Sequence, residues 1–213
     1  AAPAAPVGSY QPGPSAAPAP AAPAKVGMPK FINFQRGGIW PGPPCDGVIG
    51  FYNPGHATPV DQVCQAMMLG NFFMRPLQIQ NVAGELARFE NAEAAFQALK
   101  FWRSKDRFRT LSGQQAFKLK QSLTQSHGPD FTYGGHGSNW NAMYHVLRCK
   151  FLKDEDLLPA LMATGNTFLL EHNEKAGRDQ VWSNNNDGTG KNWLGLQLMM
   201  LRDELRQTTA WTS

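Results

Sequence analysis

The stretch that decides the fold is NAEAAFQALKFW, residues 91–102. It predicts a helix over residues 92–102, because Asn91 is a typical helix N-cap and most of the positions that follow are apolar. At about 100° per residue, Glu93, Gln97 and Lys100 fall within about 60° of one another on that helix. These three side chains form a polar stripe, which faces either water or a site.

The spacing of the polar stripe suits a ligand as well as it suits water. Glu93 and Lys100 are about 10 Å apart along the axis of such a helix, so they can bracket a small polar substrate with Gln97 between them. A carboxylate and an amine in that arrangement suit acid–base or covalent catalysis. The solvated face of an amphipathic helix has the same pattern, and the spacing alone leaves both interpretations open.

Outward from this helix, the sequence predicts an α+β domain that is mostly α, a single helical domain with a few short strands. The helix over residues 193–206 has the clearest period, with leucines at steps of four, three and four. Further helices are predicted over residues 61–68, over 113–123 after the cap Ser112, over 139–151, and from Asp154 to a stop at Gly165. Short strands are predicted from Val48 to a stop at Pro54, and over residues 77–82, 167–172 and 179–182. The order of these elements does not alternate as βαβ, which argues against a doubly wound sheet.

Residues 1–30 differ in composition from the rest of the chain. They contain eight of the 16 prolines and a single aromatic residue. Such a segment cannot bury a core, and it predicts a disordered, flexible Pro/Ala-rich N-terminal tail before one domain over residues 31–213. An arm that docks on an unidentified protein partner is the alternative, and the composition does not choose between them.

The whole-chain composition narrows the class of protein. A hydrophobic content of 42% and a charged content of 17% are typical of a soluble globular domain. The net charge of +4, without a basic run, favours a nucleotide-sized anionic ligand over a long polyanion. The sequence shows neither a membrane span nor a secretory signal. Three widely spaced cysteines, Cys45, Cys64 and Cys149, indicate buried thiols in a reducing intracellular compartment, the cytoplasm or the nucleus.

Two further segments carry polar chemistry. Residues 184–192, NNNDGTGKN, precede the last helix, so that backbone amides and Lys191 could hold a phosphate; an ordinary loop with Asn192 as the N-cap is the alternative. Residues 171–182 bring Glu171, Asp179 and Trp182 close in sequence, where a ring near carboxylates can stack a base. Acids at a strand edge beside a core tryptophan are the commoner explanation. The five histidines lack metal-ligand spacing, so neither a metal nor a cofactor is predicted.

Six blocks of sequence, taken in order, resemble the NADAR family of N-glycosidases. They are LGNFF, NAEAAFQALKF, MYHVLRCKF, LLPALMATGNTFLLE, DQVW and GTGKNWLGLQLMMLRDEL. The resemblance extends from about Ile49 to Arg206. It implies that residues 31–213 form a NADAR-like domain, and that the polar stripe faces a pocket.

The resemblance also assigns site residues, position by position. The family's Ser-Asn-Phe loop matches Asn71 and Phe72, and its Glu…Gln-x-x-Lys-Phe helix matches Glu93, Gln97, Lys100 and Phe101. The Asp-x-x-Trp segment matches Asp179 and Trp182, and the Gly-Lys-Asn turn matches Lys191 and Asn192. Two departures bear on substrate preference: Ala94 and Ala95 follow Glu93 where many members have His and Tyr, and Ser183 replaces a glycine after Trp182.

The function implied by the resemblance is hydrolysis of a ribose C1–N bond. ADP-ribosylated guanine is the favoured substrate, ahead of phosphoribosylamine-type intermediates of riboflavin synthesis. Glu93, Lys100 and Asp179 would be catalytic, with Lys100 either a nucleophile or an assisting cation, and the other seven residues would bind substrate. The expected partners are ADP-ribose-containing or nucleotide-like molecules, ADP-ribosylated nucleic acid among them. The alternatives are an inactive ADP-ribose-binding module and a structural protein that uses the tail as a docking arm.

Overall fold

The computed structural model describes residues 31–33, 38–40, 47–53 and 59–211, with only the backbone described for 31–33, 38–40, Val60 and 208–211. The predicted tail and Cys45 lie outside these residues. The helices are α1 (Pro59–Cys64), α2 (Ala92–Leu99), α3 (Gly113–His127), α4 (Asn139–Phe151), α5 (Leu157–Ala163) and α6 (Trp193–Trp211), with 3₁₀ turns at Met67–Leu69 and Trp102–Phe108. The strands are β1 (Phe31–Asn33), β2 (Gly38–Trp40), β3 (Val48–Phe51), β4 (Met74–Gln80), β5 (Leu86–Asn91) and β6 (Phe168–Glu171).

Helix α2 lies at the centre of the molecule. All eight of its residues are buried, and α3, α4, β4 and β5 pack around it. Four of the eight are alanines, which have the highest helix propensity and allow neighbouring elements to approach closely. Asn91 caps the helix, since its side-chain oxygen accepts a hydrogen bond from the Ala94 amide at 2.8 Å. A helix that is buried on every side has no solvated face.

The described strands form three separate pairs. The pairs β1–β2 and β4–β5 are antiparallel, whereas β3 and β6 are parallel, with Phe51 opposite Glu171 at their carboxyl ends. Helix α6 packs against β6 and buries Leu194, Leu198 and Leu201 completely. The carboxyl end of the parallel pair and the start of α6 therefore meet at one place.

The mostly α, α+β prediction is confirmed, because far more of the described residues lie in helices than in strands. The helix predicted over residues 139–151 matches α4, and Ser112 caps α3 through a capping box with Gln115. Asp154 precedes α5 instead of starting it, because its carboxylate accepts the amides of Asp156 and Leu157 in the turn before the helix. Helix α2 ends earlier than predicted, at Leu99, because Phe101 has φ −140° and ψ 50° and leads into a 3₁₀ turn.

Two whole-chain expectations concern thiols and membranes. Cys64 is buried and Cys149 half-buried, and both are free thiols. None of the helices within the described ranges is long and apolar enough to cross a membrane.

Candidate active site

The polar stripe of α2 lies inside the protein. Glu93 is 6% exposed and Gln97 is 4% exposed, so the solvated-face interpretation is wrong for these two side chains. The Gln97 amide donates to Glu93 Oε1 at 2.7 Å, and Lys100, half-buried, follows the last residue of the helix. Burial of a carboxylate and an amine costs free energy unless a ligand or a partner compensates it. The arrangement is therefore typical of a site.

Burial shifts the titration of both charged members of the stripe. It raises the pKa of Glu93, while the Gln97 hydrogen bond and the charges of Lys100 and Lys120 act in the opposite direction. It lowers the pKa of Lys100 to about 8, against the attraction of Glu93. A lysine with that pKa is a free amine in part at neutral pH, which is the nucleophilic form.

Aromatic rings surround the amine of Lys100. Its Nζ lies 4.6 Å from the ring centroid of Phe96 and 5.6 Å from that of Tyr133. These two rings are stacked on each other with centroids 5.7 Å apart. The edge of Trp182 packs against Phe96, at a centroid distance of 5.4 Å. A planar base next to Lys100 would therefore meet aromatic surface.

The loop before β4 closes the amino-terminal end of α2. Asn71 is buried, and its carbonyl accepts the Glu93 amide at 3.0 Å. The Phe72 ring lies over Gly113 at the start of α3, so closely that a Cβ there would be 2.6 Å from the ring. The Lys150 ammonium, from α4, donates to the carbonyls of Met68 and Gly70 at 2.7 and 2.8 Å and so fixes this loop. Burial lowers the pKa of Lys150 to about 7.

The strand predicted over residues 179–182 is wrong. Asp179 Oδ1 accepts the amides of both Val181 and Trp182 at 2.9 Å, which makes a side-chain-stabilised turn. The Trp182 ring then lies between Phe96 and Trp193, with its centroid 5.7 Å from that of Trp193. The role of the Asp179 carboxylate in this structure is to shape the turn that presents Trp182.

The backbone amides just before α6 already donate hydrogen bonds to other backbone groups of the protein. Lys191 donates to the Gln180 carbonyl and Asn192 to that of Ser183. The Asn192 side chain joins α6 to β6, because its amide donates to the Leu169 carbonyl at 2.9 Å and its oxygen accepts the Glu171 amide at 2.9 Å. The Lys191 side chain is exposed, with Nζ 5.2 Å from the Trp193 ring centroid. An anion at this turn would therefore meet the Lys191 side chain rather than these two amides, and the substrate-binding roles of Lys191 and Asn192 stay predictions.

Phe101 lies in the core. It is 7% exposed and its ring is stacked on that of Phe108, with centroids 6.4 Å apart. Its predicted role in binding substrate stays a prediction.

Three acceptor atoms near the stripe are enclosed and have no hydrogen-bond partner among the described residues. They are Asn71 Oδ1, Gln97 Oε1 and Glu171 Oε2. Such atoms are rare in folded proteins unless a ligand or water supplies the missing donor. The hydroxyl groups of a sugar are donors of the required kind.

Charged residues from three other elements also act on this site, and motif reasoning named Glu171 but missed Lys120 and Lys150. Lys120 in α3 acts on both Glu93 and Lys100, Glu171 in β6 acts with Glu93, and Lys150 in α4 acts on Glu171. Lys120 and Lys150 each occupy an apolar helix face. Lys120 lies between the buried Ala116 and Leu123 on α3, and Lys150 on α4 is only 2% exposed. A charged residue at a core position of a periodic pattern is the signal that could have identified them.

A separate cavity of about 220 Å³ lies on the β4–β5 hairpin, lined by Pro76, Leu77, Gln78 and Arg88. Its lining includes no carboxylate, so this cavity lacks the combination of a carboxylate and an amine that the stripe provides. Among the described residues, no group of three His, Cys, Asp or Glu side chains could hold a metal ion.

Comparison with known proteins identifies the family to which this region is similar. A model of the NADAR domain matches residues 54–206. A riboflavin biosynthesis protein of Vibrio vulnificus is 31% identical over 142 residues, which are 65% of this chain and 35% of that protein. The N-glycosidase YbiA of Escherichia coli is 39% identical over 72 residues, which are 32% of this chain and 43% of that protein. The matched regions thus span less than half of either relative.

A solved structure is similar in fold. The NMR structure of the E. coli protein YbiA has a TM-score of 0.57 at 26% identity, over 78% of this chain and 88% of that one.

Proposed function

The chain belongs to the NADAR family, and from this premise we propose that it is an N-glycosidase that hydrolyses the bond between C1 of a ribose and a nitrogen. The observation that carries the proposal is the buried polar stripe. Glu93 and Gln97 are buried, and the half-buried Lys100 beside them lies against aromatic rings. Two relatives, an N-glycosidase and a riboflavin biosynthesis protein, support the same class of reaction.

The substrate that we propose first is guanine that carries ADP-ribose. The partly exposed rings of Tyr133 and Trp182, which both pack on Phe96, provide surface on which a purine can stack. Lys120 and the exposed Lys191 are cations that suit the phosphates. A phosphoribosylamine-type intermediate is the second candidate, favoured by the name of the Vibrio relative.

In the mechanism that we propose, Glu93 acts on the sugar. When the C1–N bond breaks, its electron pair remains on the nitrogen and positive charge develops at C1. A carboxylate held at that position stabilises the charge and can accept the proton of the water that adds to C1. The hydrogen bond from Gln97 fixes the orientation of the carboxylate.

Lys100 is the nucleophile of this proposal. Its free amine attacks C1 as the nitrogen base leaves, the ring opens to a protonated imine, and water then hydrolyses the imine to release the sugar and restore the amine. The amine's lowered pKa, about 8, supports this role. The role of a cation that assists the leaving group or a phosphate would instead need the charged form.

Product analysis tests the proposed reaction. The protein is incubated separately with an oligonucleotide ADP-ribosylated on guanine and with the phosphoribosylamine intermediates, and the products are identified by mass spectrometry. We expect release of free ADP-ribose and unmodified guanine from the first substrate. ADP-ribose binding without turnover of either substrate would indicate an inactive binding module instead, and neither binding nor turnover would favour a structural role.

A further inference from the structure

Glu171 is a carboxyl group of the site whose backbone is fixed on both sides. It ends β6, where its amide donates to Asn192 Oδ1 at 2.9 Å and its carbonyl accepts the Asn184 amide at 2.8 Å. The charges of Asp179 and Glu93 both act on its carboxyl group. Glu171 therefore lies within electrostatic range of the polar stripe, on an element that cannot move independently of α6.

The surroundings of this carboxyl group disfavour its charged form. Oε2 is enclosed and has no hydrogen-bond donor within the part of the chain that the structure describes. Burial, then Asp179 and Glu93, raise the pKa of Glu171 well above its usual range, and only Lys150 acts in the opposite direction. The Lys150 ammonium is already directed at the carbonyls of Met68 and Gly70. Burial raises the pKa of the nearby Tyr52, with Arg178 acting in the opposite direction and Glu174, Glu171 and Asp179 in the same one.

Asp179 has the opposite environment. One of its oxygens accepts two backbone amides. Of the two carboxyl groups, Glu171 is the one with an enclosed oxygen that lacks a donor among the described residues, which is the surrounding of a carboxyl group that stays protonated.

We propose that Glu171 enters the reaction as the protonated acid and delivers its proton to the leaving nitrogen. This proposal rests on the proposed N-glycosidase function. As the C1–N bond breaks, its electron pair takes the Glu171 proton, so that the base leaves neutral. Glu171 becomes a carboxylate and regains a proton from solvent before the next turnover. The water that hydrolyses the sugar intermediate passes a proton to Glu93, which releases it to solvent, so the net reaction consumes one water and regenerates both carboxyl groups.

Kinetics of Glu171→Gln test the proton transfer, with Glu155→Gln, the same change at an exposed glutamate, as the matched control. The amide keeps the size of the side chain and cannot transfer a proton. We expect kcat to fall about 10²–10⁴-fold, as for loss of a general acid, with KM within a few-fold of native. We expect the native rate to fall at high pH as Glu171 loses its proton, and this fall should disappear in Glu171→Gln and remain in Glu155→Gln. Native kcat in Glu171→Gln would overturn the proposal.

Infrared spectroscopy tests the protonated state independently of turnover. We expect a carboxylic acid band at neutral pH that Glu171→Gln removes and Glu155→Gln retains. If the band is present but native protein turns over neither substrate, the N-glycosidase function fails while the protonation assignment stands.

A second measurement applies if Glu171→Gln does not fold. Glutamate labelled at its carboxyl carbon is incorporated into the Glu93→Gln protein, which removes the other buried glutamate of the site, and the carboxyl groups are titrated by NMR. We expect one of them to titrate well above the usual range. Absence of such a group would overturn the proposal.

Discussion

At the scale of single residues, the amine of Lys100 has the most informative surroundings. Its pKa of about 8 means that about one tenth of the side chain is free amine at pH 7, and most of it at pH 9. Competitive acylation at a series of pH values, followed by peptide mass spectrometry, measures this fraction with the other lysines as internal references. We expect the labelling of Lys100 to reach its midpoint near pH 8. A midpoint above pH 10 would contradict a role that needs the free amine.

Trp182 is a second residue whose role can be separated from its packing. If it stacks a base, Trp182→Ala should weaken ligand binding by about 1–3 kcal/mol, measured by calorimetry with ADP-ribose. Trp140 is the matched control, because it packs edge-on against Trp193 at 5.0 Å on the far side of the same aromatic cluster. Trp140→Ala should lower the melting temperature without changing affinity. Equal losses of affinity in both variants would place Trp182 in the core alone.

At the scale of elements, the position of α2 depends on Asn91. Its side chain caps the helix and also donates to the Leu111 carbonyl at 2.8 Å, and it is fully buried. Asn91→Ala should lower the free energy of unfolding by about 2–4 kcal/mol, since it removes a cap and leaves a buried acceptor unpaired. Ser112→Ala, which removes a more exposed cap at α3, should cost about 1 kcal/mol. Denaturant unfolding compares the two, and equal costs would show that the Leu111 contact contributes nothing.

Elements with strong local signals could be predicted from the sequence, and those fixed by distant contacts could not. The leucine period predicted α6, and Ser112 predicted the start of α3, because caps and periodicity act within one element. The segment of residues 179–182 has the composition of a strand, yet the Asp179 carboxylate binds its own following amides and makes a turn. Strand β5 was not predicted at all, because its pairing with β4 is a tertiary contact.

At the scale of the whole molecule, the site draws residues from segments that are far apart in the sequence. The polar stripe was predictable because Glu93 and Gln97 lie on one helix and Lys100 directly follows its last residue. Lys120, Lys150 and Glu171 each lie on a different element, and only the packing of α3, α4 and β6 brings their charges to the stripe. A sequence pattern shows that such residues occupy core positions, but not which other charge they face.

Residues 1–30, the predicted N-terminal tail, allow a prediction about the stability and activity of the whole protein. If residues 1–30 are a linker, as their composition predicts, deleting them should leave the melting temperature and the turnover rate unchanged, since they bury little apolar surface. Thermal unfolding, light scattering and the product assay check this on the shortened chain. A melting temperature lower by several degrees, or a change in oligomeric state, would identify the tail as a docking arm.

The central claim is that the buried stripe of α2 performs catalysis, and turnover of two stripe variants tests it most directly. Glu93→Gln and Lys100→Met keep the approximate size of each side chain, so both proteins should fold. The account predicts that Glu93→Gln loses about 10²–10⁴-fold in rate, and that Lys100→Met loses at least as much. Borohydride added during turnover should trap sugar on the native protein and not on Lys100→Met. If both variants cleave the C1–N bond at the native rate, the stripe is not catalytic and the account is wrong.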